Sequence, residues 1–313
     1  MRAIVTGASG FIGSQVVQLL TASGYEVVSV GRSVLADLPK PKQLMLEKSV
    51  YIQADLDNPD KLLESLLALH FLNGQLDFFF HFAWGGENRL SDTSVAAQTV
   101  NVERTIAMYE LSCRLKFSRF IFCGSMEEAF AEKYTKLNYQ VESKYNRHVV
   151  YALAKIAARK ALKLLYSPNG SDIIFGTNSH VMGPGDDKDS FLQVALLKIL
   201  SGDEINMSSG EQTFDVIDVR DCAAAYIEVA RKGKNGKSYW IGSGAPRPLR
   251  SYVEEMNSLF PSVPINFGSA PYNDVILEID VFSIRDLVSD AGFKPMFGFS
   301  DSVHYLAKSL GER

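Results

Sequence analysis

Apolar and polar stretches alternate regularly over the first half of the chain. A short apolar run at residues 3–5 leads through a glycine-rich turn to an amphipathic stretch at 14–22 and a β-branched run at 27–30. That order is strand, helix, strand. It continues with an extended run at 50–53, a helical stretch at 59–69, an apolar run at 78–82, a helix over 96–115 and a strand at 119–123. Strands alternating with helices predict a parallel sheet covered on both faces, whose central strands are apolar at every position. Phe78-Phe79-Phe80-His81-Phe82 and Phe120-Ile121-Phe122-Cys123 have that character. The expectation is an α/β fold, a Rossmann-type doubly wound parallel sheet.

Beyond residue 165 the pattern changes to a strand at 172–175, a loop rich in Gly, Pro and Asp at 183–189, and a helix at 191–200. Residues 213–230 read as a strand and helix that return to the first domain, and 241–313 is mixed. The expected division is a dinucleotide-binding domain over 1–170, with 213–235 returning to it, and a smaller mixed α/β substrate lobe over 171–313. Such a lobe covers the strand ends, where a doubly wound sheet binds its ligands.

Composition narrows the field without choosing within it. The 313 residues are 46% hydrophobic, 22% charged and 11% aromatic, which excludes disorder, a collagen-like fibre and a disulfide scaffold. Lys and Arg number 32 against 36 Asp and Glu, a net charge of −4, so there is no basic field for nucleic acid or anionic lipid. Cys113, Cys123 and Cys222 are widely spaced without a CxxC pair, which suggests a reducing compartment and neither disulfides nor zinc. No apolar run approaches the roughly 18 residues of a membrane span, and Thr6-Gly7 follows the start too soon for a signal-peptide core. A cytoplasmic soluble protein is expected.

The turn Thr6-Gly7-Ala8-Ser9-Gly10-Phe11-Ile12-Gly13 spaces its glycines three and three between a strand and a helix. One glycine permits the tight turn, one lets the backbone approach a pyrophosphate, and one lets helix and strand pack closely, while the helix-start N–H groups face the phosphate. An acid at the end of the second strand would bind the ribose hydroxyls of NAD; an arginine there accommodates the 2′-phosphate of NADP. This chain has Val30-Gly31-Arg32-Ser33. Arg32 therefore predicts NADPH over NADH.

Tyr151 and Lys155 stand four apart in a helix-forming stretch, so both lie on one face. An ammonium beside a phenol stabilises the phenolate and brings its proton within reach of a carbonyl or hydroxyl. Ser125 ends the strand at 119–123, where such a sheet places its site.

Taken together these motifs resemble the extended short-chain dehydrogenase/reductase family of sugar-nucleotide epimerases, dehydratases and reductases, over almost the whole chain. The glycine signature is similar to residues 6–13, the adenine-contacting Asp-Leu pair to Asp55-Leu56, the His-x-Ala strand end to His81-Phe82-Ala83, and the helix asparagine to Asn101. The resemblance implies a cofactor site built from Gly7, Ser9, Gly10, Phe11, Ile12, Gly13, Arg32, Asp55, Leu56, Phe82, Ala83, Trp84, Asn101, Tyr151 and Lys155. It also implies hydride transfer at a sugar carbon: Tyr151 is the general acid or base, Lys155 supports it and binds the nicotinamide ribose, and Ser125 hydrogen-bonds the reacting oxygen. A homodimer through helices around 96–115 and 151–166 follows from the same resemblance. His81, inside an apolar run, reads as a satisfied core histidine.

Departures from the family pattern narrow the substrate. The usual Arg-x-x-Asn-x-Tyr-Gly-Pro reads Thr177-Asn178-Ser179-His180-Val181-Met182-Gly183-Pro184, and Phe214 stands where an arginine commonly meets the nucleotide diphosphate. An aromatic there either stacks on a base or packs between lobes. Gly210-Glu211-Gln212 followed by Phe214-Asp215 is similar to the NADPH-dependent reductases of 4-keto-6-deoxyhexose nucleotides. Gly124-Ser125 with Glu127-Glu128 resembles that branch too, although its Tyr-Gly end is Ala129-Phe130 here. Dehydratases carry an Asp-Glu pair after the catalytic hydroxyl; Met126-Glu127 lacks the proton donor. Glu127, Asn178, His180, Phe214 and Trp84 are candidate substrate contacts. Trp84 and Glu87, on the loop after the fourth strand, either shape a sugar pocket or plug the space between domains. The run Asp186-Asp187-Lys188-Asp189 matches no calcium loop.

The reading is an NADPH-dependent reductase of a nucleotide-linked 4-keto-6-deoxyhexose. Its alternatives are an NAD-dependent nucleotide-sugar 4-epimerase, a non-catalytic dinucleotide sensor and a reductase of flavonoid- or cinnamoyl-type carbonyls.

Overall fold

The computed structural model describes residues 1–69, 71–86, 94–136, 149–186, 190–271 and 275–311. Glu87 and Asp187-Lys188-Asp189 lie outside them. The elements run β1 (Arg2–Thr6), α1 (Phe11–Ala22), β2 (Glu26–Gly31), α2 (Lys40–Leu46), β3 (Val50–Gln53), α3 (Pro59–Ala68), β4 (Phe78–His81), α4 (Val95–Arg114), β5 (Arg119–Ser125), α5 (Glu127–Tyr134), α6 (Val149–Leu165), β6 (Asp172–Asn178) and β7 (His180–Met182). They continue as α7 (Phe191–Ser201), β8 (Ile205–Met207), β9 (Thr213–Phe214), β10 (Val216–Asp218), α8 (Val219–Lys232), β11 (Ser238–Ile241), β12 (Arg247–Pro248), α9 (Leu249–Ser258), β13 (Ile265–Phe267), α10 (Arg285–Ala291) and α11 (Phe299–Gly311).

Among the described residues, seven strands form one parallel sheet in the order β11-β6-β5-β4-β1-β2-β3. This is the expected α/β Rossmann-type fold. Chain order reverses between β1 and β4, the crevice where doubly wound sheets take their ligands. The all-apolar strands explain themselves in burial: Ala3 and Val5 enter one core while Ile4 enters the other, and Phe78 and Phe80 separate from Phe79 in the same way.

The sheet draws on both sides of the expected boundary at residue 170. β6 and β11 are two of its strands, and α8 packs on α1. Within 213–235 only the helix joins this domain; β9 pairs with β12, and β10 with β7. The second lobe has its own core, with Met182, Leu196, Met207, Tyr252 and Leu306. No described helix is long and apolar enough to cross a membrane, and the three cysteines are free.

Glycine decides the packing at the end of β6. A Cβ on Gly176 would lie 2.4 Å from the Tyr226 ring, so its absence admits a fully buried tyrosine whose hydroxyl donates to Asn178 Oδ1 at 2.6 Å.

His81 is 2% exposed, with Nδ1 2.8 Å from Thr6 Oγ1 and Nε2 3.1 Å from Thr105 Oγ1. Thr105 spends its own proton on Asn101 O, so its oxygen accepts from His81 Nε2–H and Nδ1 accepts from Thr6. Burial, and then the charge of Lys155, push the pKa of His81 down from 6.5 to about 3. The unfolded chain takes up this proton below pH 6.5, the folded chain only near pH 3. Its stabilising contribution is therefore whole above pH 6.5 and drains as pH falls toward 3. His81→Gln should flatten the stability–pH curve in that window by up to about 1.4 kcal/mol per pH unit, measured by urea unfolding. Parallel curves for the two proteins would show that the folded ring titrates normally.

Candidate active site

The strand ends bring the sequence-marked residues to one side of the sheet. Gly7, at φ 71°, follows β1; a Cβ there would meet Ala83 N at 2.5 Å and Phe82 C at 2.7 Å. A Cβ on Gly13 would lie 2.2 Å from Gly7 O. The loop can fold onto itself and onto the end of β4 only because these positions lack side chains. Gly10 N donates to Gly7 O at 3.0 Å and Ala8 N to Val30 O at 3.1 Å. Phe11, Ile12 and Gly13 then open α1, which has no acidic residue in its first turn and no side-chain cap on Gly10. Such a cradle suits a phosphate group.

At the neighbouring end of β2, Ser9 Oγ lies 3.1 Å from the Cβ position of Gly31, beside the hydroxyl of Tyr51, which donates to Ser33 O at 2.8 Å. Arg32 is exposed, and its carbonyl accepts from Gln53 Nε2 at 3.1 Å. No carboxylate stands between Ser29 and Ser33. Beyond β3, Leu56 is buried and Asp55 is exposed. Arg104 of α4 grips Asp57 at 2.6 and 2.7 Å and reaches Asp55 at 3.4 Å, and its hydrogen bond holds the Asp57 carboxyl below the usual range. One turn earlier, Asn101 clamps both backbone groups of Gly85, accepting at 2.7 Å and donating at 3.0 Å. These residues fit a dinucleotide: an uncapped helix start, a loop opened by Gly7, Gly10 and Gly13, and a strand end carrying an arginine in place of an acid.

Ser125 ends β5, in register with Asn178 of β6. Its Oγ accepts from Glu127 N at 3.3 Å, and its N–H donates to Glu128 Oε1 at 3.0 Å. Tyr151 and Lys155 are 8% and 3% exposed on α6. Lys155 Nζ donates to Cys123 O at 2.8 Å, so it is tied to the strand two residues before Ser125. Around the ammonium stand the rings of Trp84, Phe122 and Tyr151, with centroids at 3.6, 5.3 and 5.8 Å. Desolvated contact with an electron-rich face contributes about 2 kcal/mol. Trp84 also meets Tyr151 edge to face at 6.0 Å and donates to Gln98 Oε1 at 2.9 Å, so it is part of the wall around Lys155. Phe82 points into the core, edge-on to Tyr226 at 4.9 Å.

A buried ion pair that sequence reasoning missed sets the spacing of this group. Arg159, one turn after Lys155, donates to Glu128 at 2.7 and 2.9 Å, and to Ser238 Oγ, Gly176 O and Thr177 Oγ1. Arg159 and Glu128 are 9% and 7% exposed. A Cβ on Gly124 would lie 2.3 Å from Arg159 Nη2 and 2.4 Å from Glu128 Oε1. The glycine before Ser125 is thus the space the guanidinium occupies.

The candidate substrate residues divide. Glu127 is buried at the start of α5. Asn178 spends its amide inward, donating to Cys123 Sγ at 3.3 Å and accepting from Tyr226. His180 and Phe214 come together at 5.3 Å between ring centroids. Asp215, next to Phe214, is fully buried; it accepts from Ser243 N at 3.1 Å, and desolvation raises its pKa.

The NAD dependent epimerase/dehydratase family model matches residues 3–242. The chain is similar to the CDP-abequose synthase of Salmonella typhimurium, 26% identical over an alignment of 319 residues that covers 98% of this chain and 97% of that protein. It is also similar to the dTDP-4-dehydro-6-deoxy-D-allose reductase of Streptomyces bikiniensis, 24% identical over 245 residues, with 74% and 73% covered. Among solved structures, the fold is similar to that of the UDP-glucose 4-epimerase of Thermotoga maritima, with a TM-score of 0.77 at 19% identity and 100% and 99% covered. The chain belongs to the NAD dependent epimerase/dehydratase family, the extended short-chain dehydrogenases/reductases, and is an enzyme of the NAD(P)-dependent oxidoreductase class.

Proposed function

We propose that the protein is an NADPH-dependent reductase of a nucleotide-linked 4-keto-6-deoxyhexose. The observation that carries this reading is the tie of Lys155 Nζ to Cys123 O, in the strand that ends in Ser125, with Lys155 one turn from Tyr151 on α6. Two relatives support the substrate class: one is named for making CDP-abequose, and the other for reducing a dTDP-linked 4-dehydro-6-deoxy sugar.

Ser125 Oγ and the Tyr151 phenol hydrogen-bond the sugar's carbonyl oxygen, polarising the C=O bond. Reduced nicotinamide, which the glycine loop and Lys155 would hold, would supply the hydride that the carbonyl carbon takes up. Tyr151 gives its proton to the oxygen, and Lys155 favours the phenolate left behind. Glu128 and Arg159 act through position, holding α6 against the end of β5. His180 and Phe214 offer an aromatic surface for the nucleotide base. His81, neutral and satisfied on both nitrogens, takes no part.

The choice of NADPH rests on Arg32 and on the absence of a carboxylate at the end of β2. The expected homodimer is supported by exposed apolar residues on the two mutually packed helices, Val95 of α4 and Leu153 and Leu164 of α6.

The test is incubation with NADPH and a panel of nucleotide-linked 4-keto-6-deoxyhexoses, following loss of nicotinamide absorbance. Oxidation with at least one member is expected; none, with NAD copurifying, would favour the 4-epimerase. Tyr151→Phe should lower turnover by about 10²- to 10⁴-fold while sparing NADPH binding, and unchanged turnover would refute the proton transfer. Arg32→Ala should raise the Kd for NADPH and leave that for NADH unaltered. Equal effects on both, measured by calorimetry, would remove Arg32 from 2′-phosphate recognition.

A further inference from the structure

Tyr51 and Gln53 stand two residues apart on β3, so both lie on one face of the sheet. That face also carries Ser29 and Gly31, their partners across the parallel pair with β2. The Tyr51 hydroxyl donates to Ser33 O at 2.8 Å and accepts from the side chain of Ser9. Gln53 Nε2 donates to Arg32 O at 3.1 Å. The carbonyls of Arg32 and Ser33 are thus held by side chains of the next strand, and Ser9 joins the glycine loop to them.

Gly31, which is buried, is the position this arrangement crowds. A Cβ there would collide with the Tyr51 hydroxyl, and would lie 3.1 Å both from the ring carbon that bears it and from Ser9 Oγ. An acid at the end of the second strand is what binds the ribose hydroxyls of NAD. Such a side chain could leave Gly31 only through the volume that the phenol fills, and admitting it would break both of the phenol's hydrogen bonds.

We propose that Tyr51 is a cofactor-specificity residue: its phenol occupies the space of a ribose-binding carboxylate and holds the backbone that presents Arg32 to the 2′-phosphate. The proposal rests on the NADPH reading above and extends it from Arg32 to a residue of another strand. Arg32 supplies the charge. Tyr51 acts through position, since backbone already held in place costs less to order on binding. Its effect is confined to the 2′ end of the dinucleotide, so ligands without the 2′-phosphate bind as before when its hydroxyl is removed.

The full chain is titrated calorimetrically with NADPH, NADH, 2′,5′-ADP and 5′-ADP, and urea unfolding reports on folding. Tyr51→Phe keeps the ring and removes both hydrogen bonds. It is expected to weaken NADPH and 2′,5′-ADP about 5- to 10-fold, while NADH and 5′-ADP stay within about twofold. Gly31→Asp alone is expected to weaken NADPH and gain nothing for NADH. Combined with Tyr51→Val, a β-branched replacement suited to a strand, it is expected to tighten NADH about 10-fold. Equal weakening of all four ligands by Tyr51→Phe, with a loss of unfolding free energy, would make Tyr51 a brace of the sheet and overturn the proposal. Unchanged affinities in that variant, or NADH affinity gained by Gly31→Asp with Tyr51 intact, would overturn it too. If the double variant does not fold, Tyr51→Phe decides alone. Wild-type protein that binds NADH as tightly as NADPH would overturn the NADPH reading itself, and the role of Tyr51 with it, before any variant is made.

Discussion

The buried pair Arg159–Glu128 is the contact on which the geometry of the site depends. Two bonds of 2.7 and 2.9 Å join α6 to α5, and the same guanidinium reaches β6 and β11. Glu128 then turns back to the amide of Ser125. The serine and the helix that carries Tyr151 and Lys155 are thereby set by one charge pair. Such a pair adds little net stability, since both ions lose their water, but removing one partner leaves an uncompensated charge at a cost of about 3–5 kcal/mol. Its contribution is position, and Gly124 conforms to it because a side chain there would strike the guanidinium.

A second constraint is the distribution of charge along the cofactor crevice. The glycine loop offers backbone amides, and Arg32 stands exposed at the end of β2. The anionic side chains nearby are drawn aside, with Asp55 and Asp57 held by Arg104. A net charge of −4 is compatible with anionic ligands because the attraction is local. The Lys155 ammonium is handled differently, in a pocket walled by Trp84, Phe122 and Tyr151, which keeps the charge beside the phenol while excluding water.

Legibility in the sequence followed the range of the interactions. β4 and β5 were plain because strands buried on both faces are apolar throughout, and Tyr151 and Lys155 because four residues make one helical turn. β11 was not, being four residues at the sheet edge with a single partner strand. α2 is seven residues long in a polar stretch, so nothing local announced it. Glu128 and Arg159 are 31 residues apart and no periodicity links them; Arg104 and Asp57 are 47 residues apart and meet only through the fold. Asn178 was marked by its motif, but its amide faces Cys123 and Tyr226, a consequence of the cleared space at Gly176. The boundary at 170 overlooked that β6 and β11 finish the sheet.

The central claim is hydride delivery to a sugar carbonyl beside Tyr151, and isotope transfer tests it most directly. The protein is incubated with NADPH deuterated at the transferring position of the nicotinamide and with a nucleotide-linked 4-keto-6-deoxyhexose that it consumes, and the sugar is analysed by mass spectrometry and NMR. The account predicts one deuterium at C4 of a reduced sugar, with stoichiometric formation of NADP. A reduced sugar without deuterium at C4, or the 4-keto sugar transformed with no net consumption of the dinucleotide, would contradict it.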